Sequence, residues 1–150
     1  MIKNIAILGS TGSIGKSLLE IINTKRKNYK ISLLSANKNY KELFKQAKVF
    51  KVKNLIVTNK KSFLNLKKIC KYHNIKVFNN YDCFSKIFNK KIDYVMSSII
   101  GLNGLKPTLK IIKFTKTIAI ANKESLICGW NLIDNELKKN NTRFIPVDSE

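Results

Sequence analysis

At 150 residues the chain has room for one domain with its own core, and 44% of its residues are hydrophobic, as in an ordinary globular protein. No apolar run approaches the ~20 residues needed to span a bilayer, and an apolar strand pattern starting at Ile2 leaves no room for a targeting peptide. The expectation is a cytoplasmic protein with no membrane partner. A formal net charge of +20 invites a nucleic-acid reading, yet the lysines are spread over the whole length, and Arg26 and Arg143 are the only arginines. Readers of bases and phosphates lean on bidentate Arg, so the charge reads as a solvated surface with no nucleic-acid partner. Cys70, Cys83 and Cys128 form no CxxC pair, which argues against a zinc site or a disulfide framework. His73 lies in a Lys-rich stretch and reads as a surface or helix-end residue.

Apolar runs of period two alternate with stripes of helical period. Ile2 to Leu8 reads as a buried strand ended by Gly9, followed by a helix with Ile14, Leu18, Ile21 and Ile22 on one face. Lys30 to Ala36 is a second strand, and Tyr40, Leu43, Phe44, Ala47 and Phe50 mark a second helix. Asn54 to Val57 is a third strand, followed by a Lys-rich helix reaching about Tyr72. Ile75 to Phe78 is a fourth strand, followed by a helix near Asp82 to Phe88. After a fifth strand, Ile92 to Ser97, comes a stripe of Leu102, Leu105, Leu109 and Ile112, in which Pro107 is tolerable only in the first turn. Thr117 to Ala121 is a sixth strand, Leu126, Trp130, Ile133 and Leu137 a further helical stripe, and Thr142 to Val147 a seventh strand. Strands that alternate with helices and are apolar on both faces predict an α/β fold: a doubly wound, mostly parallel sheet of the Rossmann-like, dinucleotide-binding kind.

Gly9-Ser10-Thr11-Gly12-Ser13-Ile14-Gly15 falls between the first strand and the first helix. Glycines here let the chain turn, let backbone approach a phosphate and let helix pack on strand. The helix start then offers free N–H groups to a pyrophosphate. Gly15-Lys16-Ser17 looks like the end of a nucleotide triphosphatase loop, but that loop needs glycine where this chain has Ser10. The second strand ends in Ser35-Ala36-Asn37-Lys38-Asn39, without the acid that accepts from an NAD ribose. This absence, together with Lys38, points to NADP.

Two further segments stand at strand ends, where open parallel sheets bind ligands. Asn122, Lys123 and Glu124 follow the sixth strand. They are placed to meet a cofactor or an anionic substrate, or simply to cap a helix. Asp148 and Glu150, two apart after the seventh strand, point one way on extended backbone and make either half of a divalent-metal site or a polar strand end.

Taken together, GSTGSIG at 9–15, IIGLNGLKPTL at 99–109, IAIANKES at 118–125 and PVDSE at 146–150 resemble, in order and spacing, the 1-deoxy-D-xylulose 5-phosphate reductoisomerase family. The resemblance covers residues 1–150 as that family's NADPH-binding domain, reaching the start of its metal and catalytic region. It implies that Gly9, Thr11, Gly12, Ser13 and Ile14 meet the NADPH phosphates and ribose, and that Asn37, Lys38 and Asn39 hold the 2′-phosphate end. The family often has glycine where this chain has Asn37, a residue that tolerates left-handed backbone. The resemblance further implies that Asn122 and Glu124 touch NADPH, that Lys123 and Ser149 touch the sugar-phosphate substrate, and that Asp148 and Glu150 bind Mg2+, Mn2+ or Co2+, with Glu150 also counted among the catalytic residues. The implied reaction is rearrangement and reduction of 1-deoxy-D-xylulose 5-phosphate to 2-C-methyl-D-erythritol 4-phosphate in non-mevalonate isoprenoid synthesis, by a homodimer. Since the family's enzyme is longer, residues 1–150 alone are expected to bind the cofactor without turning over the substrate. Another NADP-dependent α/β oxidoreductase is the alternative.

Overall fold

The computed structural model describes residues 1–147, in which strands and helices alternate from end to end. In chain order they are β1 (Lys3–Leu8), α1 (Ser13–Thr24), β2 (Tyr29–Ala36), α2 (Tyr40–Phe50), β3 (Asn54–Val57), α3 (Lys60–Cys70) and β4 (Lys76–Phe78). There follow α4 (Phe84–Ile87), β5 (Ile92–Ser97), α5 (Leu105–Ile112), β6 (Thr115–Ile120), α6 (Lys123–Lys139) and β7 (Arg143–Pro146). The strands form one sheet in the order β4-β3-β2-β1-β5-β6-β7, with every adjacent pair parallel. The chain therefore builds outward from β1 to β4, returns to β1's other side with β5, and builds outward again to β7.

Alternation along each strand divides the core into two layers. Ile5 and Ile7 of β1 join Ile31, Leu34, Leu55 and Val57 on the face covered by α1, α2 and α3, through Leu19, Ile22, Leu43 and Leu66. Ala6 and Leu8 join Leu33, Ile56, Val95, Ile118 and Ile120 on the opposite face, covered by Phe84 of α4, Ile111 and Ile112 of α5, and Ile133 and Leu137 of α6. Burial on both faces is why the strands read as continuous apolar runs. Three helices are capped alike: the side-chain oxygens of Asn39, Asn59 and Asn122 accept from the N–H groups of Glu42, Ser62 and Ser125.

The elements differ from the sequence expectation in phase and length rather than in order. In α1 the buried face is Gly15, Leu19 and Ile22, while Ile21 is exposed, because 100° per residue carries it off that face. The segment at 82–88 is shorter than a regular helix: a 3-10 turn at Tyr81–Cys83 runs into the single turn of α4. Leu102 leaves the α5 stripe because 102–104 also form a 3-10 turn, so it faces solvent; Pro107 sits in the first turn, as required. In α6 the seam runs through Ser125, Gly129, Ile133 and Leu137. Trp130 lies to one side of it, 42% exposed and packed on Phe144 of β7. β6 begins two residues earlier than expected and ends at Ile120. His73 is exposed beyond the end of α3, with its ring against Phe44.

Two outcomes check this packing. Ile133→Ala empties a fully buried position and should cost about 2–5 kcal/mol in denaturant unfolding. Ile127→Ala, on the exposed side of the same helix, should cost less than about 0.5 kcal/mol. Burial pushes the thiols of Cys70 and Cys83 up to about 11, whereas Cys128 is exposed. A thiol reagent at pH 8 should therefore label Cys128 quickly and the other two only after unfolding, because the thiolate is the reactive form.

Candidate dinucleotide site

The sheet reverses its direction of growth between β1 and β5, so the loops that follow these strands part and leave a crevice at the carboxyl edge. Gly9 begins the turn out of β1 with φ of +84°, and a Cβ there would lie 2.8 Å from the Ser98 carbonyl oxygen. A Cβ at Gly15 would lie 2.5 Å from the Gly9 oxygen and 2.6 Å from the Ser10 Cα. Both positions therefore exclude any side chain. Gly12 differs: its Cβ would make an ordinary 3.5 Å contact, so packing does not demand glycine there. It lines the crevice, where a missing side chain leaves backbone open to a ligand.

The turn is held on three sides. Ser35, at the end of β2, receives the Gly9 N–H on its hydroxyl at 3.0 Å and the Ser10 N–H on its carbonyl at 2.9 Å. The Ser98 hydroxyl, after β5, donates to the Leu8 oxygen at 2.8 Å. From α2, Gln46 accepts from the Ser10 hydroxyl at 2.7 Å and donates to the Ser10 carbonyl at 3.0 Å. Tyr81 completes the network with its hydroxyl 3.1 Å from that of Ser35, and burial raises its phenol above the ordinary value. Behind this turn α1 starts at Ser13 with Gly12 as its cap residue, no capping side chain and no acid in its first turn. Its positive end thus stays available for an anion.

The crevice has a volume of about 1040 Å3. Thr11 and Gly12 line it on the α1 side, and Asn37, Lys38, Asn59 and Lys60 at the ends of β2 and β3. Ser13 is exposed and Ile14 half-buried at the head of α1. No acid follows β2, so nothing there repels a phosphate on an adenosine ribose. Lys38 is exposed with its backbone pinned, since its carbonyl accepts from Tyr40 N–H at 2.8 Å and from the Ser62 hydroxyl at 2.9 Å. Asn37 does not use left-handed backbone, so asparagine stands there without strain. The side-chain oxygen of Asn39 is engaged in capping α2. A glycine cradle, an uncapped helix start and a cationic ribose end together fit NADPH.

Asn122 caps α6, one of the two roles its position after β6 allows. Its side chain is buried and used within the chain: its oxygen caps α6, and its amide donates to the carbonyls of Ile99 and Gly101. It ties the Ile99–Gly101 loop, one wall of the crevice, to the head of α6. Gly104 is glycine for the same reason, since a Cβ would lie 2.6 Å from the Asn122 amide nitrogen. Lys123 and Glu124 are the exposed first residues of α6. Asp148, Ser149 and Glu150 lie outside the described residues. Val147 just before them is bound through its N–H to the Ile120 carbonyl, so the chain reaches the same carboxyl edge. Among the described residues no group of three His, Cys, Asp or Glu side chains could hold a metal ion, and no helix is long and apolar enough to cross a membrane.

Sequence reasoning missed Ser35, Gln46, Tyr81 and Ser98. Each acts through a contact 26 to 90 residues away, which leaves no local signature. It also missed Lys60 and Lys106 on the crevice wall, because lysine is too common in this chain to stand out.

The sequence model of the 1-deoxy-D-xylulose 5-phosphate reductoisomerase family matches residues 5–129. The reductoisomerase of Pelagibacter ubique is 65% identical over 150 residues, covering 99% of this chain and 39% of that protein. The chain thus spans about two fifths of the length of the curated relatives it matches. Among solved structures, the reductoisomerase from Zymomonas mobilis in complex with NADPH aligns with a TM-score of 0.90 at 33% identity, over 100% of this chain and 40% of that one. A reductoisomerase in complex with NADPH, fosmidomycin and magnesium aligns with a TM-score of 0.90 at 28% identity, over 99% and 37%. With the family model matched from within β1 into α6, and residues of the motifs at 9–15 and 99–109 lining one crevice, the chain belongs to the 1-deoxy-D-xylulose 5-phosphate reductoisomerase family.

Proposed function

We propose that residues 1–150 act as the NADPH-binding domain of an enzyme that rearranges and reduces 1-deoxy-D-xylulose 5-phosphate to 2-C-methyl-D-erythritol 4-phosphate. The observation that carries this reading is the turn at 9–15, where two positions exclude a side chain and a third leaves backbone open ahead of an uncapped helix. In this reading the backbone of Thr11, Gly12, Ser13 and Ile14 binds the pyrophosphate and adjoining ribose, and α1 contributes its positive end. Asn37, Lys38 and Asn39 select the 2′-phosphate. Asn122, which holds the wall formed by Ile99–Gly101, is proposed to meet the cofactor from there. Lys123 meets the anionic substrate and Glu124 the cofactor. Bound in this crevice, NADPH supplies the hydride, and the chain's task is to fix its reacting face at the carboxyl edge.

Asp148 and Glu150 are proposed as ligands of a divalent cation, Mg2+, Mn2+ or Co2+, with Ser149 on the substrate. The support is their spacing and their position directly after β7. The working enzyme is proposed to be a cytoplasmic homodimer, as the family resemblance implies.

The proposal predicts cofactor choice. In calorimetric titration NADPH should bind more tightly than NADH, and Lys38→Glu should remove on the order of 1–3 kcal/mol of that preference. Equal affinity of the unsubstituted chain for both nucleotides would contradict it. In an intact reductoisomerase carrying this segment, Asp148→Asn or Glu150→Gln should abolish turnover and leave NADPH affinity unchanged, because the sheet seats the cofactor independently of those carboxylates. Near-normal turnover with Mg2+ in either variant would refute the ligand assignment.

A further inference from the structure

The cationic end of the crevice is built by two loops. β3 lies beside β2 with Ala36 opposite Val57, so both strands deliver their following residues to the same stretch of the carboxyl edge. Three hydrogen bonds join those loops: Thr58 N–H to the Ala36 carbonyl at 3.2 Å, Asn59 N–H to the Asn37 carbonyl at 3.1 Å, and the Ser62 hydroxyl to the Lys38 carbonyl at 2.9 Å. Lys60, the first residue of α3, is thereby held near Lys38 on the wall of the same crevice, and both side chains are exposed.

The charges around this pair leave it open for a ligand. The first turn of α3 contains no acid. Asp82, the acid among the described residues of the crevice wall, is paired with Lys110. Lys106 and Lys110 belong to α5, which follows β5 across the switch point, and so they serve the other side of the crevice. A phosphomonoester carries roughly −1.5 to −2 charges at neutral pH, twice what one lysine balances. The pyrophosphate has its own partner in the start of α1, on the far side of Ala36 from Lys60.

We infer that Lys60 is a second specificity-determining residue for the adenosine 2′-phosphate, acting beside Lys38 from a different element of the fold. The inference rests on the NADPH reading above and extends it to a residue that the motifs do not mark. Its ligand chemistry is an adenosine carrying a 2′-phosphomonoester.

The test is a titration of the chain and its Lys60→Gln, Lys38→Gln and doubly substituted variants with NADPH, NADH, 2′,5′-ADP and 5′-AMP. Lys60→Gln should weaken NADPH and 2′,5′-ADP by about 5- to 20-fold and shift NADH and 5′-AMP by less than about twofold, since only the charge-assisted contact is lost. The double variant should lose most of the discrimination. Lys60 is exposed, so the melting temperature should not move. Unchanged NADPH affinity in Lys60→Gln, with the unsubstituted chain still preferring NADPH to NADH, overturns this inference and leaves the proposed function standing. Equal weakening of NADPH and NADH also overturns it, because a general or structural role would act on both. An unsubstituted chain with no preference overturns the inference and the cofactor proposal together.

Discussion

The close passage of the β1–α1 turn against the start of the β5–α5 loop is the constraint on which the rest of this molecule depends. With Gly9 at φ +84° and its absent Cβ only 2.8 Å from the Ser98 oxygen, the two loops at the switch point meet backbone to backbone. Gly15 repeats the condition in the first turn of α1, where the helix lies directly on Gly9 and Ser10. A methyl group at either place would push α1 off the sheet or close the crevice. The uncapped start of α1 is useful to an anion only because this contact aims it there.

The polar groups around the turn follow from the same geometry. A loop that leaves a buried strand without a side chain to pack must satisfy its backbone otherwise. Here Ser35 receives two N–H groups, Ser98 donates to a carbonyl, and Gln46 bonds Ser10 through both its backbone and its hydroxyl. Each net hydrogen bond is worth only about 1 kcal/mol, but leaving any one of these buried groups unpaired would cost more than that. The network also links both layers of the fold, since its members come from β2, α2, the loop after β5 and the turn after β4. The turn is therefore held by the whole of the sheet's centre rather than by the glycine motif alone.

Charge tells a similar story at larger scale. A net charge of +20 has no direction in the sequence. Folding gives it one, by carrying Lys38, Lys60, Lys106 and Lys110 to a single crevice and pairing one of them with Asp82. Most of the remaining lysines stay on a solvated surface, as their scatter along the chain implied, while Lys91 is half-buried and donates to the Asn140 carbonyl.

Strand order along the chain, two-sided burial and the glycine turn were legible in the sequence because each is a local pattern: period two, period 3.6, and turn residues at fixed spacing. The missing acid after β2 was legible for the same reason. Helix phase was read less well. Ile21, Leu102 and Trp130 fit an apolar stripe by spacing, yet the sheet presents only a limited width to each helix, and Leu19 or Gly129 occupies the seam instead. Asn122 shows the boundary most clearly. Its sequence neighbourhood marks it as a helix cap or a ligand contact, and the cap is what local rules deliver. That its amide would reach back to Ile99 and Gly101 was decided by the placement of β5 beside β6, some 20 residues away in the chain. Sequence alone determined which segments are strands and where glycine must stand; tertiary structure decided which distant side chains hold that glycine turn, because parallel pairing brings together residues that no local pattern relates.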